Sequence, residues 1–313
     1  MRIILIFPLL VLALCIGCTR TAPEADNTPP PNEASDDDLH KPEPLVEPLV
    51  PRFDSPEETT PPEETTQVMA NPLEKYAAEI VPLPPLDDLT AQVDEYVTKL
   101  GTNLESLEGS PQYASDTIVR DANALSLVTL AIGLAEADSK YKKSAPQMIA
   151  AAQKLAAAKS YEDGRKAYEE LKSALTSSGG GTSLSWSVKI ADLPPLMKAV
   201  PNLSSTVKRL TNTEGKLRNL RRPEQVHGAL AALAAISQGS IANAADTTKP
   251  DAVEEWKKFC EELRDSALKT NAVARQFAEE KADYAAFKTA IDAMSVSCDR
   301  CHEVFYPSAV GKE

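Results

Sequence analysis

The stretch that decides the fold lies near the C-terminus and is Y-A-A-F-K-T-A-I-D-A-M-S-V-S-C-D-R-C-H-E-V-F, residues Tyr284–Phe305. Its apolar residues recur at alternating steps of three and four, the spacing that places side chains on one face of an α-helix. The two cysteines fall on the same steps, so we expect them on the buried face of this helix. The residues of this predicted face are Tyr284, Phe287, Ile291, Met294, Cys298, Cys301 and Phe305.

The composition of the 313-residue chain also favours helices. Aromatic residues make up only 5 % of the chain, whereas Ala, Leu, Lys and Glu, which are good helix formers, are plentiful. No segment shows the sustained alternation of apolar and polar residues that is typical of a strand. The sequence therefore predicts an all-α protein, with two four-helix bundles in tandem after a disordered N-terminal tether.

The tandem arrangement is predicted from an internal repeat. The opening L-P-P-L-D-D-L at Leu83–Leu89 returns as L-P-P-L-M-K-A at Leu193–Ala199, an offset of 110 residues. Three further helical segments follow each opening, in the same order. We therefore predict a first bundle over 83–176, a Gly/Ser linker over 177–188 and a second bundle over 189–313. The segments after the openings are Ala122–Ala137, Ala145–Ala158 and Tyr161–Leu175, then Val226–Ala245, Val253–Phe277 and Tyr284–Cys298.

The N-terminus carries the features of an export signal. One Arg precedes a short apolar run over residues 1–17, which is typical of a signal peptide. Leu14–Cys18 resembles a bacterial lipobox, although Cys15 stands where leucine is usual, and this predicts lipidation at Cys18. The alternative is an ordinary signal peptide in which Cys18 is coincidental. In both cases we expect an exported protein of the periplasm or cell envelope, and lipidation of Cys18 would anchor it to a membrane.

The segment 18–82 is predicted to be a disordered tether. Residues 19–82 hold 13 of the 24 prolines and, with 15 acidic and 4 basic residues, a net charge of −11. Such a segment cannot bury a core and is extended by its own repulsion. Residues 83–313 are nearly neutral, at −3. The chain therefore lacks the basic body that nucleic-acid binding requires.

The pattern C-x-x-C-H, formed by Cys298, Cys301 and His302, is the attachment signature for c-type haem. On a helix, residues three apart face the same way, so both thiols can reach the vinyl groups of one porphyrin. The adjacent histidine can offer its imidazole as the proximal ligand of the iron. We therefore predict one covalent haem c.

The same three residues could serve three other purposes. A structural disulfide between the two cysteines is compatible with export, but it does not need a histidine. A thioredoxin-type C-x-x-C requires a βαβ context, for which the sequence gives no sign. A zinc site needs a fourth ligand, and the remaining histidines, His40 and His227, lack motif spacing.

A C-x-x-C-H motif on the last helix of a four-helix bundle resembles the cytochrome c′ family. The resemblance covers about Leu193–Tyr306, through P-E-Q-V-H-G-A-L-A-A-L-A-A-I at Pro223–Ile236 and through the motif helix. It implies a haem-binding four-helix bundle. Family members usually carry an arginine after the aromatic residue that follows the motif, and here Tyr306 replaces it.

The first half departs further from the family pattern. Aligning Tyr161 on Tyr284 places Leu175, Ser178 and Gly179 where the two cysteines and the histidine of the motif stand. The resemblance thus implies a haem-less bundle over 83–176. Because many family members are homodimers of bundles, we expect the first half to pack on the second as a built-in partner, forming a pseudo-dimer.

The resemblance also raises the question of a distal ligand, since haem in this family is either five-coordinate or capped by a methionine from the first helix. Met197 is the candidate, at the start of an apolar stripe; the alternative is an ordinary core methionine. His227 is a weaker rival, expected to be exposed or capping, and Cys260 is expected to be a buried small apolar residue. The apolar stripe that begins at Met197 consists of Met197, Val200, Leu203, Val207 and Leu210.

These features predict a membrane-tethered cytochrome that passes single electrons between redox partner proteins. No acid–base pair suggests a substrate, so we do not expect an enzyme. Two alternatives stay open. A five-coordinate iron would bind nitric oxide or carbon monoxide, and a redox-silent haem would serve only to staple the second bundle.

Overall fold

The computed structural model describes residues 81–108, 116–178 and 183–307. Its regular structure in these ranges is entirely helical, which confirms the all-α prediction. All of these residues belong to one compact unit. The predicted signal peptide, Cys18, His40 and nearly all of the tether lie outside the described residues, so those assignments stay predictions.

The first half of the described chain forms four helices. Helix α1 packs against α2 and α4, and α3 packs against α2 and α4, so the four helices close into a ring. Their bounds are α1 Leu86–Glu105, α2 Asp116–Leu134, α3 Ala145–Ala157 and α4 Tyr161–Ala174.

The second half contains four long helices in a similar order, with a five-residue helix and a 3₁₀ turn between them. Helix α5 packs on α7, α7 on α8 and α8 on α9. In contrast to α1 and α4, the first and last helices of this half, α5 and α9, make little contact; one contact is the Tyr284 hydroxyl, which donates to the Thr211 carbonyl at 3.0 Å. The bounds are α5 Leu193–Thr211, α6 Glu214–Arg218, α7 Pro223–Ser240, the 3₁₀ turn Ile241–Asp246, α8 Val253–Ala278 and α9 Tyr284–Phe305.

Local sequence explains where these helices begin. The hydroxyl of Ser160 caps α4 by accepting from the Asp163 amide at 3.1 Å, and the Asp283 carboxylate caps α9 by accepting from the Ala286 amide at 2.7 Å. Helix α7 begins at Pro223, where a missing N–H costs least. The predicted helical segments all appear, although α2 begins six residues earlier than predicted, at Asp116.

The two halves meet through their first two helices. Helix α1 packs against α7, and α2 packs against both α5 and α7. Helices α2 and α7 are apolar enough to resemble membrane spans, but 72 % and 94 % of their most apolar stretches are buried inside the protein. A helix that is apolar all round is expected at the centre of a helical protein, and burial accounts for this composition.

Two glycines of α7 permit this close approach. A Cβ atom at Gly228 would lie 2.9 Å from the Gln92 Oε1 atom of α1, and a Cβ at Gly239 would overlap the Leu127 side chain of α2. One apolar core therefore runs through both halves. The division into two separate bundles stays a prediction.

A smaller apolar cluster lies at the C-terminal end of the second half, where α5, α8 and α9 meet the 3₁₀ turn. Met197 packs against both this cluster and the main core. We call this smaller cluster the aromatic cluster. It consists of Leu193, Ile241, Ala244, Trp256, Phe259, Cys260 and Phe305.

The last helices of the two halves differ in length. Helix α4 has 14 residues and ends at Ala174, whereas α9 has 22. In the alignment of Tyr161 with Tyr284, Ala174 corresponds to Ser297. The extra two turns of α9 are thus the part of the helix that carries the C-x-x-C-H motif.

Candidate functional site

The structure confirms that the motif continues the buried face of α9. Phe287, Ile291, Met294 and Phe305 are at most 3 % exposed. The remaining members of the predicted face, Tyr284 and the two motif cysteines, are partly buried and pack against the core or the aromatic cluster. The motif is therefore part of a packed helix.

The turn after the motif is anchored by aromatic packing. The Phe305 ring meets the Trp256 ring edge-on, with centroids 5.1 Å apart, and the Phe259 ring at 6.1 Å. The Thr248 hydroxyl donates to the Phe305 carbonyl. Arg300, between the two cysteines, forms an ion pair of 3.0 Å with Glu262 of α8. These contacts fix the orientation of the motif toward α8.

A cavity of about 290 Å³ lies between α5, α7, α8 and α9, and the motif opens into it. Cys298, Cys301 and His302 line it from α9, and Met197 lines it from α5. The structure thus brings together all four residues that the sequence singled out for haem, although they come from two helices about 100 residues apart. We call this space the motif cavity.

The walls of the motif cavity are mostly apolar. It lies between the main core and the aromatic cluster and takes wall residues from both. Protein interiors are otherwise close-packed, so a cavity of this size between two apolar clusters is a candidate ligand site. The apolar wall residues include Val200, Pro201, Ile236, Trp256, Phe259 and Leu263.

The three thiols at the motif cavity, those of Cys260, Cys298 and Cys301, are free. Burial raises the pKa of Cys298 to about 11 and that of Cys301 to about 12, with smaller contributions from Asp299 and from Cys298, respectively. Burial also raises the pKa of Cys260. The thiols are therefore protonated at neutral pH, in the form that can add across a vinyl group.

Serines supply most of the polar atoms of this wall. Ser237, Ser295 and Ser297 each donate to the carbonyl four residues earlier, at 2.6, 3.1 and 3.2 Å. Ser240 differs, because its Oγ is buried and has no hydrogen-bond partner among the described residues. Its carbonyl accepts from the Trp256 indole N–H at 2.8 Å, which holds this residue in place.

The opposite wall comes from α5. Pro201 lies inside this helix without ending it, and both Pro201 and Lys208 line the motif cavity. The Lys208 ammonium is close enough to Cys298 to lower its pKa slightly, against the larger effect of burial. The predicted stripe of α5 is confirmed: Val200, Leu203 and Val207 are buried, and the other two members are partly buried.

The rival distal candidate, His227, lies elsewhere. It is partly buried, and its Nδ1 atom is 2.8 Å from the Asn271 Oδ1 atom. The expectation that His227 is exposed or caps a helix is therefore wrong, because the residue is partly buried and its imidazole is paired with Asn271 of α8. It does not line the motif cavity. No group of three or more His, Cys, Asp or Glu side chains converges as a metal site among the described residues.

The residues present fit a haem in chemical terms. Two free thiols stand three residues apart on one helix, an imidazole follows them, and a thioether and aromatic walls face the same space. Sequence reasoning missed two members of this site. Cys260 was expected only to be buried, and Ser240 carried no signal, since only the packing of α7 on α8 brings it to the wall.

Comparison of the chain with protein-family models, with curated proteins and with solved structures found no match.

Proposed function

We propose that this protein is an exported, membrane-tethered c-type cytochrome that carries one covalent haem and transfers single electrons. The observation that carries the proposal is the motif cavity, into which Cys298, Cys301 and His302 project from one helix. Cys298 and Cys301 would hold the haem through thioethers, and His302 would bind the iron as proximal ligand. Met197 is the candidate distal ligand.

A bound haem would supply reversible one-electron chemistry, and the chain would control its surroundings. The aromatic cluster and α5 give the motif cavity a largely apolar wall, which favours the less charged state of a metal centre. The packing of Phe305 against Trp256 fixes the motif turn, so His302 is held at one wall. A fixed ligand geometry limits the structural change that accompanies each electron transfer.

We place the protein outside the cytoplasm on sequence grounds, with residues 1–17 as signal peptide and a lipid on Cys18. The acidic tether of 18–82 would let the helical body move near the membrane surface and meet redox partner proteins. The locally basic run from Lys208 to Arg222 begins at the motif cavity and suits an acidic partner.

The two halves are proposed to be a pseudo-dimer of four-helix bundles, one with haem and one without. The packing of α1 on α7 and of α2 on α5 supports this, because these are the two crossed pairs that a two-fold relation between the halves would equate, and the corresponding helices α2 and α7 also meet. Polar contacts also cross the boundary. Lys198 forms an ion pair of 2.7 Å with Asp116, and the Asn123 Oδ1 atom accepts from the Asp192 amide at 2.7 Å.

The first test is covalent haem content. The full-length chain, produced with a c-haem maturation system, is expected to gain the mass of one haem that survives denaturation. Cys298→Ala and Cys301→Ala should each lose one thioether. Cys260→Ala is the matched control, since it removes a thiol from the same cavity and should retain full attachment. A wild-type chain without attached haem would contradict the proposal.

A second candidate function is the binding of nitric oxide or carbon monoxide to a five-coordinate iron. The unfilled volume of the motif cavity, about 290 Å³, favours it, because a small guest can enter beside the motif. The optical spectrum of the ferrous protein with and without carbon monoxide distinguishes the two functions.

A further inference from the structure

We propose that, while no haem is attached, Cys260 of α8 forms a disulfide with Cys301 of α9 and so occupies one thiol of the C-x-x-C-H motif. The bridge itself needs no haem, whereas its effect on haem attachment rests on the proposed function. It gives a role to the third thiol of the motif cavity, which the cytochrome proposal does not use.

The register of α8 against α9 places these two cysteines at the same level. The two helices follow one another through a short turn and pack antiparallel. Arg300 of α9 forms an ion pair of 3.0 Å with Glu262 of α8, and further along the Phe305 ring meets the Phe259 ring at 6.1 Å. One cysteine follows Arg300 directly and the other follows Phe259 directly, so on both helices the cysteine lies between the two contacts.

The two thiols also share the same surroundings. Cys260 is 6 % exposed and belongs to the aromatic cluster, and Cys301 is partly buried and packs against that cluster. Both line the motif cavity, one from each helix. Burial raises the pKa of Cys260, and the nearby Cys301 raises it further. Since the thiols lie at one level on facing sides of two packed helices, a bridge between them needs little movement of either helix.

The other possible partner of Cys301 is Cys298, three residues earlier on α9. Residues three apart in a helix have Cβ atoms about 5–6 Å apart, whereas a disulfide holds the two Cβ atoms at about 3.5–4.5 Å. Both cysteines lie inside α9, which continues to Phe305, so a bridge between them would have to distort the helix. A bridge from α9 to α8 avoids this distortion.

The bridge forms by thiol–disulfide exchange with a disulfide oxidant, such as oxidised glutathione or a disulfide-carrying protein of the cell envelope. Cys301 reacts first, because it is more exposed than Cys260, and its thiolate forms a mixed disulfide and releases one oxidant thiolate. The Cys260 thiolate then displaces the second oxidant thiolate. Two protein thiols are oxidised, one oxidant disulfide is reduced to two thiols, and the protein's thiol protons pass to the released thiolates.

The bridge would control when haem can be attached. Cys301 is one of the two thiols proposed to form thioethers, and a sulfur atom held in a disulfide cannot add across a vinyl group. Haem attachment would therefore require prior reduction of the bridge by a thiol or dithiol. In an oxidising compartment, the redox state of Cys260 and Cys301 would thus decide whether the motif is available.

The experiment maps the bridge in the haem-free full-length chain, made without a c-haem maturation system and fully reduced before oxidised glutathione is added. Remaining thiols are alkylated, and the chain is digested with trypsin. Trypsin cuts after Arg300 and so separates the two motif cysteines. Mass spectrometry is expected to find the peptide Phe259–Arg264 joined to the peptide Cys301–Lys312.

Two variants distinguish this bridge from other pairings. Cys298→Ala is the matched control, since it removes the other motif thiol and should leave the bridged peptide unchanged. In Cys260→Ala the bridged peptide should be lost, and Cys301 should retain glutathione as a mixed disulfide, because no second thiol displaces it. A wild-type bridge that contains Cys298, or thiols that all stay reduced, would overturn the inference.

A second measurement tests the effect on haem. Added ferrous haem is expected to attach covalently to the wild-type chain only after the bridge is reduced with dithiothreitol. Equal attachment to the bridged and the reduced chain would contradict control by the bridge. A reduced chain that attaches no haem, even with a c-haem maturation system, would instead contradict the proposed function, and the mapped bridge would be unaffected by that result.

Discussion

Asp88, in the first turn of α1, and Asn271, in the middle of α8, form a buried hydrogen bond of 2.8 Å across the boundary between the two halves. Arg275, one turn later in α8, donates to the other oxygen of the same carboxylate. Asp88 is 5 % exposed, and both side chains that donate to its carboxylate belong to the second half. Helix α1 is thus fixed by polar contacts as well as by the shared core.

Replacement of Asp88 by Ala should therefore destabilise the protein. Removing the carboxylate leaves Asn271 and the partly exposed Arg275 without their acceptor, and we expect a loss of about 1–3 kcal/mol in the free energy of unfolding. A lower urea midpoint of unfolding would measure this loss of stability. Asp87→Ala is the control, since Asp87 is exposed in the same helical turn and should change stability much less. Equal effects of both variants would refute the role assigned to Asp88.

Gly239 should not tolerate a larger residue. An added Cβ would overlap Leu127 of α2, so Gly239→Ala is expected to cost about 1–3 kcal/mol, reduced by the better helix propensity of Ala. Thermal and urea unfolding report the change. In Gly215→Ala, where no atom lies within 4 Å of the added Cβ, stability should rise by up to about 1 kcal/mol. A stabilising Gly239→Ala would mean that α2 and α7 are not closely packed there.

The stability of the protein should fall in alkaline solution because of Tyr96. Burial, with a smaller contribution from Asp121, raises the pKa of Tyr96 far above its ordinary value of 10.0, and Arg120 opposes this only in part. The native state holds the phenol proton more tightly than the unfolded chain. The contribution of the Tyr96 phenol to the free energy of unfolding is thus fully present below pH 10. It is lost as the pH rises above 10, by up to about 1.4 kcal/mol per pH unit.

Urea midpoints measured from pH 8 to above pH 10 test this dependence. For each protein, the urea midpoint is compared with the value of the same protein at pH 8. Over the alkaline part of the range, the midpoint of Tyr96→Phe should fall less than that of the wild type. Identical alkaline slopes for the two proteins would show that Tyr96 does not contribute.

Met197 should determine the coordination of the iron if its thioether is the distal ligand. The expected result is a low-spin ferric spectrum in the wild type that becomes high-spin in Met197→Leu, with a gain of carbon monoxide binding in the ferrous state. Met294→Leu is the control, since Met294 is buried on α9 and does not line the motif cavity. A wild-type spectrum that is already high-spin would assign Met197 to the core and favour gas binding.

The two halves should stay associated after the linker is cut. A protease site placed at Gly179–Gly181 would separate the proposed bundles covalently, but the shared apolar core and the contacts of Asp88 should hold them together. Size-exclusion chromatography of the cut chain is expected to give a single peak at the size of the uncut one. Separation into two independent species would contradict the pseudo-dimer.

Much of the fold follows from local sequence. Steps of three and four residues along Tyr284–Phe305 predict the buried face of α9, and the repeated Leu-Pro-Pro-Leu openings predict where α1 and α5 begin. These features were predictable because helix periodicity and capping depend on residues within a few positions of one another. The C-x-x-C-H motif is equally local, since its three residues lie within five positions.

The tertiary structure decided which residues share the motif cavity. Met197 was a candidate only through a resemblance, and Cys260 and Ser240 reach the wall because α7 and α8 pack on each other. His227 was expected to be exposed, but packing of α8 over α7 gave it Asn271 as a partner. Periodicity specifies which face of each helix is buried, but not which helix covers that face. That choice depends on the fit between side chains far apart in sequence, such as Gly239 against Leu127.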